Sequence, residues 1–438
     1  MLMQTFQNFL SDDSAWDMYI TGAAGTGKTT GLATLVDYCK AKDIAYTVCA
    51  YTHKACGVLR SKLPADAKVQ TLHKYLKKRP GVNTEATKAA NVEINMKMGD
   101  SEKIQLLFID EYSMIGDKDF TDISAMQGED DTGAPLLKVI WIGDKHQLPP
   151  VKDVQAVRPY GKYQVLLTTI HRQSNDNPLL DTLAMLVRFI EGEKVQQLKP
   201  NAAFIRGQNI VSAYLNNPSE DKVILAYTNK KVQELNWDIA GKTGPDYEDP
   251  VFSPTNKQSY KFLDDLERVA FIQSPYEPTK MLDMYDKWNT LSLLRSMPDV
   301  RYANVEDEDG TEYTYAYVFG HYEYKLIAEE LKAAAAASNA IISKEFGAKP
   351  AQWAKDNYGH PLERQRAKAW REFLAFNEWV ICLDFPHAQT VHKSQGSTYE
   401  TVFVDTQDLG LAAEMDYSMY LRLMYVALSR ASKCVITN

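Results

Sequence analysis

The stretch Gly22-Ala23-Ala24-Gly25-Thr26-Gly27-Lys28-Thr29 limits what this chain can fold into more than any other feature. It fits the pattern GxxxxGK[ST] in full, between the apolar run Met18-Tyr19-Ile20 and the helix-forming stretch Gly31–Lys40. A strand, a glycine-rich loop and a helix in that order make a phosphate cradle. Small residues let backbone N–H groups turn inward, and the helix N-terminus adds partial positive charge. Lys28 is placed to reach the β- and γ-phosphates of a nucleotide, and the Thr29 hydroxyl to ligate Mg²⁺. Gly25, Thr26, Gly27 and Thr30 complete the expected cradle. A loop of this kind belongs at the carboxyl edge of a parallel sheet, so the fold class expected is α/β.

The remainder agrees with that expectation. Ala45–Ala50, Leu106-Leu107-Phe108-Ile109 and Val139-Ile140-Trp141-Ile142 are short apolar runs, and Lys54–Leu63 has helical character. Wholly apolar runs of this length suit strands covered on both faces, and their alternation with helices predicts a doubly wound domain. A second series begins at Val223–Ala226 and resumes at Trp379–Leu383, Val402-Phe403-Val404 and Cys434-Val435-Ile436. The block between, about 245–378, differs. It starts rich in Pro and Tyr and includes Arg301–Phe319, whose acidic centre Glu306–Gly310 reads as a hairpin turn. It ends in helix formers, Ala328–Ser338 and the segment from Pro361 to Asn377. The expected organisation is a first α/β domain over 1–170, a second over 171–244 and 379–438, and an inserted domain over 245–378.

At 438 residues several domains are expected, and 45% hydrophobic with 24% charged residues is the balance of a soluble globular protein. No apolar window is long enough to span a membrane, and Met1–Thr5 does not begin a secretory signal, so a cytoplasmic location is expected. Cys39, Cys49, Cys56, Cys382 and Cys434 show no paired spacing and read as reduced thiols. The net charge of −8 argues against coating nucleic acid by bulk attraction and leaves room only for a local basic track.

Two further strand ends carry chemistry. Asp110 and Glu111 follow Leu106–Ile109; the first suits Mg²⁺ held through water, the second suits orienting and deprotonating an attacking water. Gly143-Asp144-Lys145-His146-Gln147-Leu148-Pro149-Pro150 follows Val139–Ile142, and Gln147 can sense a γ-phosphate or position water. Asp144 reads equally as a turn residue.

With these segments on the page the chain resembles superfamily 1 helicases, and most of all their RecD-like, Dda-like branch. The phosphate loop, Ile109–Met114 and Gly143–Pro150 look like motifs I, II and III. Tyr51–Ala55 resembles motif Ia, Thr71-Leu72-His73 motif Ib, Leu167–Gln173 motif IV, Thr390–Ser397 motif V and Tyr425–Ala431 motif VI. The resemblance implies two RecA-like motor domains, with a pin-like insertion at about 77–103 and an SH3-like part followed by helices in 245–378. It implies ATP and Mg²⁺ as cofactors, 5′→3′ movement on single-stranded DNA, and single-stranded, forked or branched DNA as partner of a monomer. A bacteriophage origin and a place in DNA replication or recombination, with proteins of those processes as partners, come with it. Arg172 and Arg430 become arginine fingers, and Gln4 the reader of adenine, with Gln7 as competitor. A branched-DNA remodelling translocase and an ATP-switched binding protein that does not unwind remain the alternatives.

The same resemblance assigns the DNA track to Thr52, His53, Lys54, Thr71, His73, His392 and Lys393, with Thr228 and Asn229 at an equivalent strand end. Hydroxyl, amide and imidazole groups there suit phosphate contacts, though each also suits a helix cap or a turn. Lys74, Lys77, Lys78 and Arg79 form one basic cluster, and Arg364, Lys368 and Arg371 fall on one helical face. Tyr313, Tyr315 and Tyr317 share a strand face that reads as sheet core more readily than as a base-stacking platform.

Overall fold

In the computed structural model the chain divides into two compact units, Met1–Tyr227 with Val391–Asn438, and Thr228–Thr390. The structure describes the chain except residues 52, 77–104, 130–132, 134, 151, 152, 154, 171, 174, 175, 196, 257, 268, 276–279, 284–289 and 348, and the side chains of His53, Lys54 and Asp283.

The first unit opens with a parallel sheet of Asp17–Gly22 (β1), Tyr46–Ala50 (β2), Val69–Thr71 (β3), Gln105–Asp110 (β4), Leu137–Gly143 (β5) and Tyr163–Leu167 (β6), in the order β3-β2-β4-β5-β1-β6. Its strands alternate between two buried faces. Met18, Ile20, Phe108, Ile140 and Ile142 point to one, where Phe6, Phe9, Leu32, Leu35 and Leu59 cover them. Tyr19, Leu107, Ile109, Val139 and Trp141 point to the other, against Leu72, Tyr112, Ile115 and Ile123. Burial on both sides explains why these runs read as continuously apolar. Strand order reverses beside β1, so the loops after β1, β4 and β5 meet at one edge, where ligands bind in sheets of this kind.

The N-terminal helix Leu2–Leu10 packs through Phe6 and Phe9, and its end is tied down from within the sheet. Lys138 on β5 is fully buried, and its ammonium donates to the carbonyls of Phe9 at 2.9 Å, Leu10 at 3.2 Å and Asp12 at 2.8 Å. A cation at a helix C-terminus satisfies carbonyls that have no partner within the helix and meets the negative end of its dipole. Lys138→Met removes three bonds, one to a buried and two to part-buried carbonyls, while keeping the aliphatic stem. It is expected to lower stability by about 2–4 kcal/mol, read as a lower urea midpoint and as earlier proteolytic release of the first ten or so residues. An unchanged midpoint would mean that the helix is held by its phenylalanines alone.

The chain next begins a second parallel sheet with Phe204–Ile205 (β7) and Lys222–Ala226 (β8). The second unit follows. Its mixed sheet is built from Pro250–Ser253 (β9), Gln258–Asp265 (β10), Arg301–Glu306 (β13), Glu312–Phe319 (β14) and Val380–Leu383 (β15); Phe271–Gln273 (β11) pairs with Met281–Asp283 (β12). The hairpin between β13 and β14 forms as the sequence suggests: Asp307 accepts from the Asp309 and Thr311 amides at 3.0 and 2.9 Å, and Gly310 takes φ +77°. Tyr315 and Tyr317 are fully buried in the core of this sheet with Tyr260 and Phe262, which settles them as packing residues. Helices His321–Phe346 and Pro361–Trp379 form where composition predicts helix, and they lie side by side. One strand belongs elsewhere than its pattern suggests. Val380–Leu383 runs parallel to β14 at the edge of the mixed sheet, where the sequence reading joins it to the second α/β series. After Ala388–Thr390 (β16), the chain returns with Tyr399–Val404 (β17) and Ala431–Thr437 (β18), which complete the parallel order β8-β17-β18-β7. The fold is thus α/β with two parallel sheets and an inserted mixed sheet. Among the described residues no helix is long and apolar enough to cross a membrane.

Candidate nucleotide site

The edge of the first sheet opens into a cleft of about 780 Å³ lined by Gly25, Thr26, Gly27, Lys28, Thr29, Thr30, Asp110, Glu111, Gln147, Arg172 and Arg430, among others. Residues drawn from five separated stretches of sequence converge there. The loop after β1 is shaped by two glycines in the left-handed region, Gly25 at φ +83° and Gly27 at +79°. A Cβ on Gly25 would come within 2.6 Å of the Arg172 Cβ, so the loop and that arginine approach too closely for any other residue. Lys28 is buried at the first turn of the following helix and donates to the carbonyls of Gly22 at 2.8 Å and Ala23 at 2.9 Å.

Asp110 ends β4 and takes the Glu111 amide at 3.1 Å. Burial pushes its carboxyl above the ordinary range and the Glu111 charge adds to the rise, while Lys28 opposes both. Glu111 holds φ +59°, a left-handed backbone for a non-glycine residue, and one of its carboxylate oxygens is buried with no hydrogen-bond partner among the described residues. A strained acidic residue with an orphaned oxygen is costly to keep and clusters at functional sites. Thr29, Asp110 and that oxygen suit a hydrated Mg²⁺ and a positioned water, so the residues present fit a Mg-nucleotide.

Arg172 and Arg430 face this acidic pair. Arg430 is 1% exposed, held by Val426 O at 3.2 Å, Ser397 O at 3.4 Å and Ser429 Oγ at 3.0 Å. Arg172 donates to Ser429 O at 2.7 Å. Burial, then the charge of Arg430, lowers Arg172 to about 9, which leaves it cationic at neutral pH. Burial also lowers Arg430, with Glu111 acting against it. The two guanidiniums are therefore mutually repelling cations in a poorly hydrated wall, a setting that favours a polyanion between them and the loop.

The segment after β5 carries more than its sequence reveals. Asp144 is 1% exposed and accepts from Tyr425 Oη at 2.8 Å and from the His146 amide at 3.0 Å. Burial alone would raise its carboxyl, but the His146 bond and the Lys28 charge bring it below the usual range. Gln147 is buried and its side-chain oxygen lies 3.4 Å from Gln395 Nε2. Arg422 donates to the carbonyls of Lys145 and Gln147 at 2.7 and 2.9 Å. Tyr425 and Gln395 stand inside motif-like stretches that the sequence displays, yet no spacing rule singles them out; nothing in the sequence marks Arg422.

Gln4 is not brought to the cleft. Its amide donates to Asn8 at 3.1 Å, and from the N-terminal helix it is Leu2 that lines the site. Of the track residues, Thr71 and Thr228 cap helices, accepting from the Lys74 amide at 3.3 Å and the Lys231 amide at 3.2 Å, and Asn229 is the first residue of the second of these helices. His73 Nε2 lies 3.8 Å from Asp119 and its ring packs on Tyr51, while the His392 ring lies 6.2 Å from that of Tyr227, just ahead of Lys393. Thr52, the side chains of His53 and Lys54, Lys77, Lys78, Arg79 and the pin-like insertion fall outside the described residues. Arg364, Lys368 and Arg371 are exposed on a helix whose opposite side buries Phe373 and Phe376.

Comparison with known proteins accords with this geometry. Residues 3–206 match the family model described as an AAA domain, and 386–436 match the UvrD-like helicase C-terminal domain. A Pif1 helicase structure from work on DNA unwinding at forked dsDNA aligns over 100% of this chain and 91% of its own, with a TM-score of 0.51 at 17% identity. The fold is Pif1-like. Bacteroides Pif1 bound to ssDNA aligns over 100% and 92%, with a TM-score of 0.50 at 16% identity. Among curated relatives, the ATP-dependent RecD2 DNA helicase of Deinococcus radiodurans is 27% identical over 163 residues, 37% of this chain and 20% of that protein. An uncharacterised protein of Acanthamoeba polyphaga mimivirus is 27% identical over 163 residues, 34% of this chain and 32% of its own length. The chain thus matches a third or less of the length of each.

Proposed function

We propose that this chain is an ATP-dependent DNA helicase that moves 5′→3′ along single-stranded DNA and separates duplex ahead of it. The observation that carries the reading is the placement of Arg172 and Arg430 on the same cleft as Lys28, Asp110, Glu111 and Gln147. A binding switch needs a loop and a metal; a second wall of guanidiniums adds stabilisation only as charge spreads over a transferring phosphoryl group. In this reading Lys28 and the loop amides hold the phosphates, and Thr29 with Asp110 holds Mg²⁺. Glu111 and Gln147 orient water, and Arg172 and Arg430 act as fingers. The RecD2 relative and the Pif1 neighbours on forked DNA and ssDNA support the substrate class.

The motor would comprise a domain over 1–170, with its pin-like insertion, and a second over 171–244 and 379–438 less the strand Val380–Leu383, which pairs with the inserted sheet; 245–378 would form the rest of the inserted SH3-like and helical domain. The DNA track would run along the strand ends bearing Thr52, His53, Lys54, Thr71, His73, Thr228, Asn229, His392 and Lys393. The Dda-like branch, with its bacteriophage and replication or recombination context, rests on the motif series alone.

One experiment separates the readings. ATP turnover is measured with and without single strands, and strand displacement on duplexes with a 5′ tail, a 3′ tail or a four-way junction. Stimulated turnover with displacement from the 5′ tail is the expected result. Absence of stimulation would make the protein an ATP-switched binder, and activity confined to junctions would make it a remodelling translocase.

A further inference from the structure

We infer that Tyr425 and Arg422 together fasten the Gly143–Leu148 segment and the phosphate loop to the helix Tyr417–Ser429, and thereby position Gln147 for turnover. The inference rests on the helicase reading and adds to it two positioning residues that do not line the cleft.

Tyr425 Oη stands between two segments of the first sheet's edge. It accepts from the Ala24 amide of the phosphate loop at 3.4 Å and donates to Asp144 at 2.8 Å. The directions of these bonds are fixed by charge. Burial and the nearby Asp144 carboxylate hold the phenol far above its ordinary pKa, so it keeps its proton, and Asp144 is held ionised to receive it. Arg422 lies one turn earlier on the same helix face and grips the backbone on either side of His146. Asp144 is thus fixed through its side chain, and Lys145 and Gln147 through their carbonyls. Between them these contacts leave the Gln147 side chain little freedom except toward the cleft and Gln395.

The same helix ends at Ser429, followed by Arg430. Any displacement of that helix therefore moves the finger, the Gln147 segment and the Ala24 amide together. A finger alone would report nucleotide only by its own contact; with the Tyr425 and Arg422 attachments, closing the arginine wall also draws up the water-positioning glutamine. Packed elements of this kind shift as bodies, so one helix can set three groups at once.

Tyr425→Phe deletes a single oxygen and keeps the ring, and Arg422→Gln removes the grip on the two carbonyls while keeping a donor of shorter reach. Each is assayed in the full chain for single-strand-stimulated ATP turnover, for the ATP KM, and for ATP consumed per base pair displaced. Tyr420→Phe on the same helix is the control. The expected result is a fall in kcat of about tenfold or more for each variant, little change in KM, and more ATP consumed per base pair. Arg422→Lys restores part of the loss. Wild-type kcat and wild-type ATP per base pair in both variants would overturn the inference. So would a loss matched by fewer nucleotide-analogue sites per chain, which would make the residues structural only. If the wild-type chain itself shows no single-strand-stimulated turnover, the helicase reading fails first, and separately.

Discussion

Lys28→Ala is expected to lower ATP turnover by about a thousandfold or more while leaving a folded protein. The ammonium sits on the loop itself, and its bonds to Gly22 O and Ala23 O fix it under the turn before any phosphate contact is made. Its loss acts at two levels. The direct one is the missing charge against the β- and γ-phosphates. The indirect one runs through carboxylates, since Lys28 opposes the upward push on Asp110 and helps keep Asp144 ionised. Without it Asp110 protonates at higher pH than in the parent chain. A protonated carboxyl cannot serve the Mg-nucleotide, so what turnover remains should rise with pH over a range displaced upward from the parent's. The fold itself stands on Phe6, Phe9, Leu32, Leu35 and their neighbours, so circular dichroism and the thermal midpoint should change little. Turnover within tenfold of the parent would sink the phosphate-loop assignment.

How much of this was legible beforehand follows from where each contact is encoded. The cradle, Asp110 and Glu111 are local features: an apolar run, then the residue that leaves the sheet edge. The N-terminal helix was also written in plain view, with Leu2, Phe6 and Phe9 at helical spacing, yet the segment is easily taken for a frayed end. Tyr163–Leu167 escaped for a different reason. It is an edge strand with Tyr163 and Val165 inward and Gln164 and Leu166 exposed, too short an alternation to stand out. Val380–Leu383 reads correctly as a buried strand, but no run of four apolar residues states which sheet it joins. Tyr425 and Arg422 were opaque because their partners lie 281 and about 275 residues away, and Arg422 binds carbonyls, which carry no side-chain identity. Gln4 is assigned by resemblance, and no local pattern could tell that its amide is turned along its own helix to Asn8.

Arg430→Ala is expected to lower kcat by about a thousandfold with only a small change in ATP affinity. Ground-state binding has other donors: the loop amides, Lys28 and Arg172 all line the cleft. What Arg430 adds is a second cation on the far wall, and its contribution grows as charge moves onto the transferring group. Its geometry suits that role, because three protein oxygens hold the guanidinium in one orientation. Arg430→Lys keeps the charge and loses the planar fork, so it should recover part of kcat. The neighbouring arginine makes the test sharper. Arg172 is depressed partly by the charge of Arg430, and each therefore raises the cost of the other until a polyanion lies between them. Removing one relieves that repulsion, and removing both should cost much less than the product of the single losses, as for groups that act as a unit. Quench-flow turnover and fluorescent-nucleotide binding on the two single variants and the double variant would show it. A fall in affinity with kcat preserved at saturation would make Arg430 a ligand clamp, and strictly multiplicative losses would mean that the two arginines act on separate steps.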